Sequence, residues 1–174
     1  GEDKNKSSKW KLLLKPAFVT IVFSRCILMF CFTFIQFWLG DYYTNGLGLD
    51  QEESRAEKSI SFFTFYMISP SSGSAVGSYL CEKVGGYRKK RSSILCIIFA
   101  ILAGITALYV TIPDNVVYFS IVMFLFFFLG NCMIPTLVGI GFSCVEKDQK
   151  IASYSVNSLL CTIFGNMPAP TIYG

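Results

Sequence analysis

The chain has 174 residues, of which 53 % are hydrophobic, 16 % aromatic and only 15 % charged, with a net charge of +4. So little polar surface excludes a soluble domain of this length and points to lipid as the solvent. Histidine is absent, which removes Ser-His and Cys-His nucleophilic pairs and the commonest metal ligand, so neither enzymatic chemistry nor a cofactor is expected.

Residues 1–15 are polar and basic, without the apolar run of a secretory signal, and fit either a cytoplasmic tail or a cytoplasmic linker. The start at Gly1 and the stop at Gly174 inside an apolar stretch read as the bounds of a fragment of a longer polypeptide. Residues 17–39 form the first apolar run, about 23 residues, enough to cross a hydrocarbon core of roughly 30 Å with some tilt. It carries one charge, Arg25, and one amide, Gln36. A polar, acidic loop follows at 40–58.

The second expected span, 59–81, is aromatic in its first half and small and hydroxylated in its second, from Ser69 through Ser78. Small residues at that density let backbones approach closely or line a polar cavity, and Pro70 is expected to kink or open the helix. A strongly basic turn at 82–91 leads into a third span, 92–112. The short turn 113–115 precedes a fourth, 116–145, with Gly130, Asn131 and Pro135 near its middle. The loop 146–150 opens the last span, 151–174, whose far half Gly165, Pro168 and Pro170 are expected to break. The fold class expected is therefore all-α, a multi-span transmembrane bundle over residues 16–174. The seven cysteines sit at apolar positions without a C-x-x-C pair and read as small hydrophobes.

Charge supports this layout. With five crossings, the segments 1–15, 82–91 and 146–150 share one side and hold Lys4, Lys6, Lys9, Lys11, Lys15, Lys83, Arg88, Lys89, Lys90, Arg91, Lys147 and Lys150. The other side holds only Arg55 and Lys58 as bases, alongside Asp41, Asp50, Glu52, Glu53, Glu57 and Asp114. That bias places the basic side in the cytoplasm. The cluster 88–91 then reads as an orientation determinant rather than a nucleic-acid contact.

The stretch GSYLCEKVGGYRKK at 77–90 combines a small residue on a helix face, an acid, a base, a helix-stopping glycine and a cationic turn. Glu82 is placed to pair with a cation of this turn or a neighbouring helix. The stretch resembles the G-x-x-x-D-R-x-G-R-R/K signature of the major facilitator superfamily, which joins the second and third helices of each six-helix half. Glu82 stands for its Asp and Lys83 for its Arg, Gly77 and Gly85 match, and Gly86 and Tyr87 displace the later cations. The end of the chain, from Lys150 to Gly165, Pro168 and Pro170, is similar to the eleventh helix of Spinster-like transporters, with Asn166 in place of an acidic residue. The aromatic run around Trp38 looks like the end of their seventh helix. Organic-anion-transporting polypeptides share a similar proline-rich ending, but 113–115 leaves no room for their long cysteine-rich loop.

The resemblance implies a second half of a transporter minus its last helix, working by alternating access about a central site. It implies a lipid-like or organic-anion substrate, protons as a coupling ion, surrounding membrane lipids and the missing half as partners, and a plasma or lysosomal-type membrane. It also implies a conformational latch at Gly77, Glu82, Lys83, Gly85, Arg88 and Lys89. A non-transporting membrane subunit or receptor that reuses the fold is the alternative, as is an organic-anion transporter of another branch. Candidate pathway residues are Arg25, Gln36, Ser74, Asn131 and Asn157. Arg25 either snorkels to the cytoplasmic surface or faces the cavity toward an anionic group. The four uncharged residues serve the pathway or helix–helix hydrogen bonds. No Asp or Glu lies inside a span, so a proton-coupling carboxylate is expected in the missing half.

Overall fold

The computed structural model describes residues 15–110, 115–145 and 147–173. The linker 1–15, apart from Lys15, most of the turn 113–115 and Glu146 therefore lie outside the described residues. Among the described residues the secondary structure is entirely helical.

Three of the five expected spans are helices long and apolar enough to cross a bilayer. The first, α1 (Pro16–Asp41), opens on a proline, whose missing N–H costs nothing in a first turn. It continues through a π-helical turn, Tyr42–Gly46. The second is α4 (Lys90–Tyr109) and the third α5 (Val116–Ser143). Half of α5's most apolar window is buried against 22 % of α4's, so α5 is the more closely packed of the two. Pro135 sits inside α5 without ending it.

The other two expected spans are interrupted. α2 (Gln51–Phe63) passes into a π turn, Thr64–Ile68, before α3 (Ser69–Lys83). α6 (Lys150–Cys161) passes into a π turn, Thr162–Asn166, before α7 (Pro168–Tyr173). One cause serves both, because each π turn ends two residues before a proline, Pro70 or Pro168. A proline ring clashes with the carbonyl four residues back and supplies no N–H to it. The ladder widens in response: Ser69 N–H donates to the Thr64 carbonyl, and Met167 N–H donates to the Thr162 carbonyl at 3.0 Å. The expected breaks thus take the form of wide turns, which inside α-helices recur at functional sites.

The chain divides into two compact units, Gly1–Phe34 with Leu137–Gly174, and Ile35–Thr136. In the first, Phe18, Val22, Cys26, Val145 and Cys161 form a buried apolar cluster, with Met29, Val156 and Leu160 against it. The second is organised around aromatic rings. Phe119 is fully buried and meets Tyr42 at a ring-centroid distance of 4.5 Å and Tyr43 edge-on at 5.7 Å. The Tyr43 and Ser61 hydroxyls share a hydrogen bond between two buried side chains, tying the end of α1 to α2. Phe65 and Phe127 stack at 5.7 Å and join α2's π turn to α5. Offset and edge-on ring pairs of this kind contribute about 0.5–1.5 kcal/mol each beyond their buried area.

Candidate functional site

The motif of residues 77–90 begins on a helix face that touches backbone. Gly73 and Gly77 stand one turn apart on α3, both buried. A Cβ on Gly73 would lie 2.6 Å from the Phe128 carbonyl oxygen and 3.0 Å from Asn131 Cβ. One on Gly77 would come within 2.8 Å of Cys132 Cα and closer still to its carbonyl oxygen. These two positions let α3 lie directly against the α5 main chain, as small residues four apart do in membrane helices.

Past Lys83 the helix stops because Gly85 and Gly86 both adopt positive φ, +105° and +85°. The Gly86 N–H donates to the Cys81 carbonyl at 3.0 Å and the Gly85 N–H to Glu82 at 3.0 Å, satisfying carbonyls left over at the helix end. Glu82, Lys83, Arg88 and Lys89 are exposed. The Lys83 ammonium lies 4.7 Å from the Tyr79 ring centroid, a cation–π contact. The Lys89 side chain folds over Gly85, where an added Cβ would meet it at 2.6 Å. Glu82 forms no ion pair among the described residues and stays open to a cation from elsewhere.

Ser92 escaped the sequence reading. It is fully buried at the start of α4, and its hydroxyl donates to the Gly86 carbonyl at 2.6 Å, fastening the cationic turn to the next helix. Its only sequence signal is a hydroxyl just after a basic run. Ser92→Ala should lower stability by about 1 kcal/mol, the net worth of such a bond. A thermal midpoint of the detergent-solubilised protein unmoved by the change would show that the bond carries no load.

The expected pathway residues fall in both units. In the second, Gln36 is exposed and Ser74 half-buried. Asn131 is 4 % exposed, and its side-chain amide donates to the Phe127 carbonyl at 2.7 Å within its own helix. In the first, Asn157 is buried and accepts a 3.4 Å bond from the Cys161 thiol. Thr136 carried no sequence signal and Ser69 only its place in the hydroxylated stretch, yet both hydroxyls are fully buried and lack a partner among the described residues.

Arg25 is the sharpest feature of the first unit. It lies seven residues from both Phe18 and Phe32 and three from Val22, all buried, and therefore on the inward face of α1. It sits nine residues into the 31-residue helix Pro16–Gly46, about 14 Å of rise and roughly a third of the way along it. Its Nε and Nη1 nitrogens are buried and donate to no acceptor among the described residues. Arg25 as a whole is half-buried, and donors left unused inside a fold are a place where an anion can be received.

Comparison with known proteins agrees with these elements. No curated protein and no solved structure matches the chain. The sequence model of the Major Facilitator Superfamily matches residues 1–170, nearly the whole length. This integral membrane chain of apolar helices belongs to the Major Facilitator Superfamily of membrane transporters.

Proposed function

We propose that the chain belongs to the second half of a Spinster-like secondary transporter that moves an organic anion or anionic lipid by alternating access. Arg25 carries the reading: a guanidinium with two buried, unused N–H donors inside the first span suits the carboxylate or phosphate of an amphiphilic substrate. The long apolar helices around it suit the substrate's hydrocarbon part. The substrate enters a site between two halves, protons supply the coupling, and the host bilayer is a plasma or lysosomal-type membrane.

In this scheme the turn at 82–91 faces the cytoplasm and latches one conformation, with exposed Glu82 meeting a cation of the other half. Glu82→Gln is expected to leave expression intact while lowering flux about tenfold, the effect of one lost charge-assisted contact of roughly 1.4 kcal/mol. Unchanged flux would remove the latch.

The reading itself is tested by uptake into vesicles holding the parent polypeptide. Labelled lysophosphatidate and a long-chain carboxylate are offered beside a neutral acylglycerol. Saturable uptake of the anions alone is expected, and equal uptake of all three would set aside the role given to Arg25.

A further inference from the structure

The buried cluster of the first unit brings two thiols together. Cys26 on α1 and Cys161 at the end of α6 are 135 residues apart in sequence, yet the Sγ atoms are 3.8 Å apart and both side chains are buried. The backbones are close at the next turn as well: a Cβ on Gly165 would lie 3.0 Å from both the Cys26 carbonyl oxygen and Met29 Cβ. Closing the sulfur gap to the roughly 2.05 Å of a disulfide is then mainly a matter of side-chain rotation.

Two further observations give the pair a use. Cys161 is the last residue of α6, immediately before the π turn Thr162–Asn166 and Pro168, where the helical hydrogen-bond ladder widens. Cys26 also lines an apolar groove of about 520 Å³ with Phe18, Val22, Ile27, Leu160 and Phe164. Reactants that enter this groove are lipid-soluble.

We propose that Cys26 and Cys161 form a thiol pair oxidised by organic hydroperoxides, and that the resulting disulfide staples α6 to α1 and stiffens the π-turn hinge. In the first step a sulfur attacks the terminal peroxide oxygen. The S–O bond forms as the O–O bond breaks, the thiol proton passes to the departing oxygen, and a sulfenic acid and an alcohol result. The second thiol then attacks the sulfenic sulfur, the S–S bond forms, the S–O bond breaks, and water leaves with that thiol's proton. Two thiols and one hydroperoxide thus give one disulfide, one alcohol and one water, the two electrons passing from sulfur to the peroxide.

The effect on flux rests on the transporter reading; the staple itself does not. The test uses the protein in lipid vesicles, treated with cumene hydroperoxide, alkylated, and digested without reductant. Mass spectrometry is expected to find the peptides of Cys26 and Cys161 joined and two hydrogens lighter, and dithiothreitol to release them. Amide exchange across 162–167 should slow about tenfold in the oxidised form and not in Cys26→Ala. Uptake of the labelled anion should fall about tenfold in parallel and recover on reduction. Free thiols at both positions, or a link elsewhere such as Cys81 with Cys96, would overturn the pair. A correct link without slower exchange would overturn the staple. If untreated protein takes up no anion, the transporter reading fails while the linkage and exchange results still decide this one.

Discussion

Gly77→Ala is expected to lower the thermal midpoint of the solubilised protein markedly, while Gly104→Ala raises it. Both glycines sit inside helices, and on propensity alone each replacement favours the helix by about 0.5–1 kcal/mol. What lies opposite reverses the sign at one of them. Around Gly104 nothing stands within 4 Å of the new methyl, which points to open surface, so the propensity gain survives. At Gly77 the methyl meets the Cys132 backbone, with Cα at 2.8 Å, and no side-chain rotation can clear main-chain atoms. The α3 and α5 backbones must separate, and overpacking of that kind costs about 1–3 kcal/mol. Gly73, 2.6 Å from the Phe128 carbonyl by the same measure, should behave like Gly77. If Gly77 acted only in a transport latch, its alanine variant would keep the wild-type midpoint and lose flux alone. Equal midpoints for the two alanine variants would refute the close-packed seam.

The same two glycines show what the sequence could and could not disclose. Apolar runs of membrane length at 17–39, 92–112 and 116–145 correspond to Pro16–Asp41, Lys90–Tyr109 and Val116–Ser143, because burial of apolar side chains in lipid is a property of composition over a long window. Proline likewise acts locally: Pro70 and Pro168 announced interruptions, though not that both would be π turns in the same register. Partner identity is another matter. Nothing near Gly77 in the chain says that Cys132 lies against it, and nothing near Cys26 names Cys161. Nothing near Tyr43 in the chain says that its hydroxyl bonds to Ser61. For the candidate site, type and depth of Arg25 were legible from its place within an apolar run. Its unused donors were not, since they depend on which side chains of α1 and the helices beside it face inward.

Arg25→Leu should make the protein more stable and less active. In wild type a charged group is held with Nε and Nη1 buried and without acceptors among the described residues, an arrangement that disfavours the folded state. Leucine fills much of the same volume beside Phe18, Val22 and Cys26 without that penalty, so stability should rise by about 1–3 kcal/mol. Transport of an anion loses its charged donor at the same stroke, and uptake should fall by at least about tenfold, mainly through weaker binding. Arg25→Lys separates charge from geometry: it keeps the point charge but loses the planar fork that binds carboxylate or phosphate in two places, so partial uptake is expected. A snorkelling arginine predicts otherwise, because its charge is already solvated and leucine would leave stability and uptake nearly unchanged. A residue retained against stability is most simply explained by a ligand that completes it, and the opposed movement of midpoint and flux is the signature to seek.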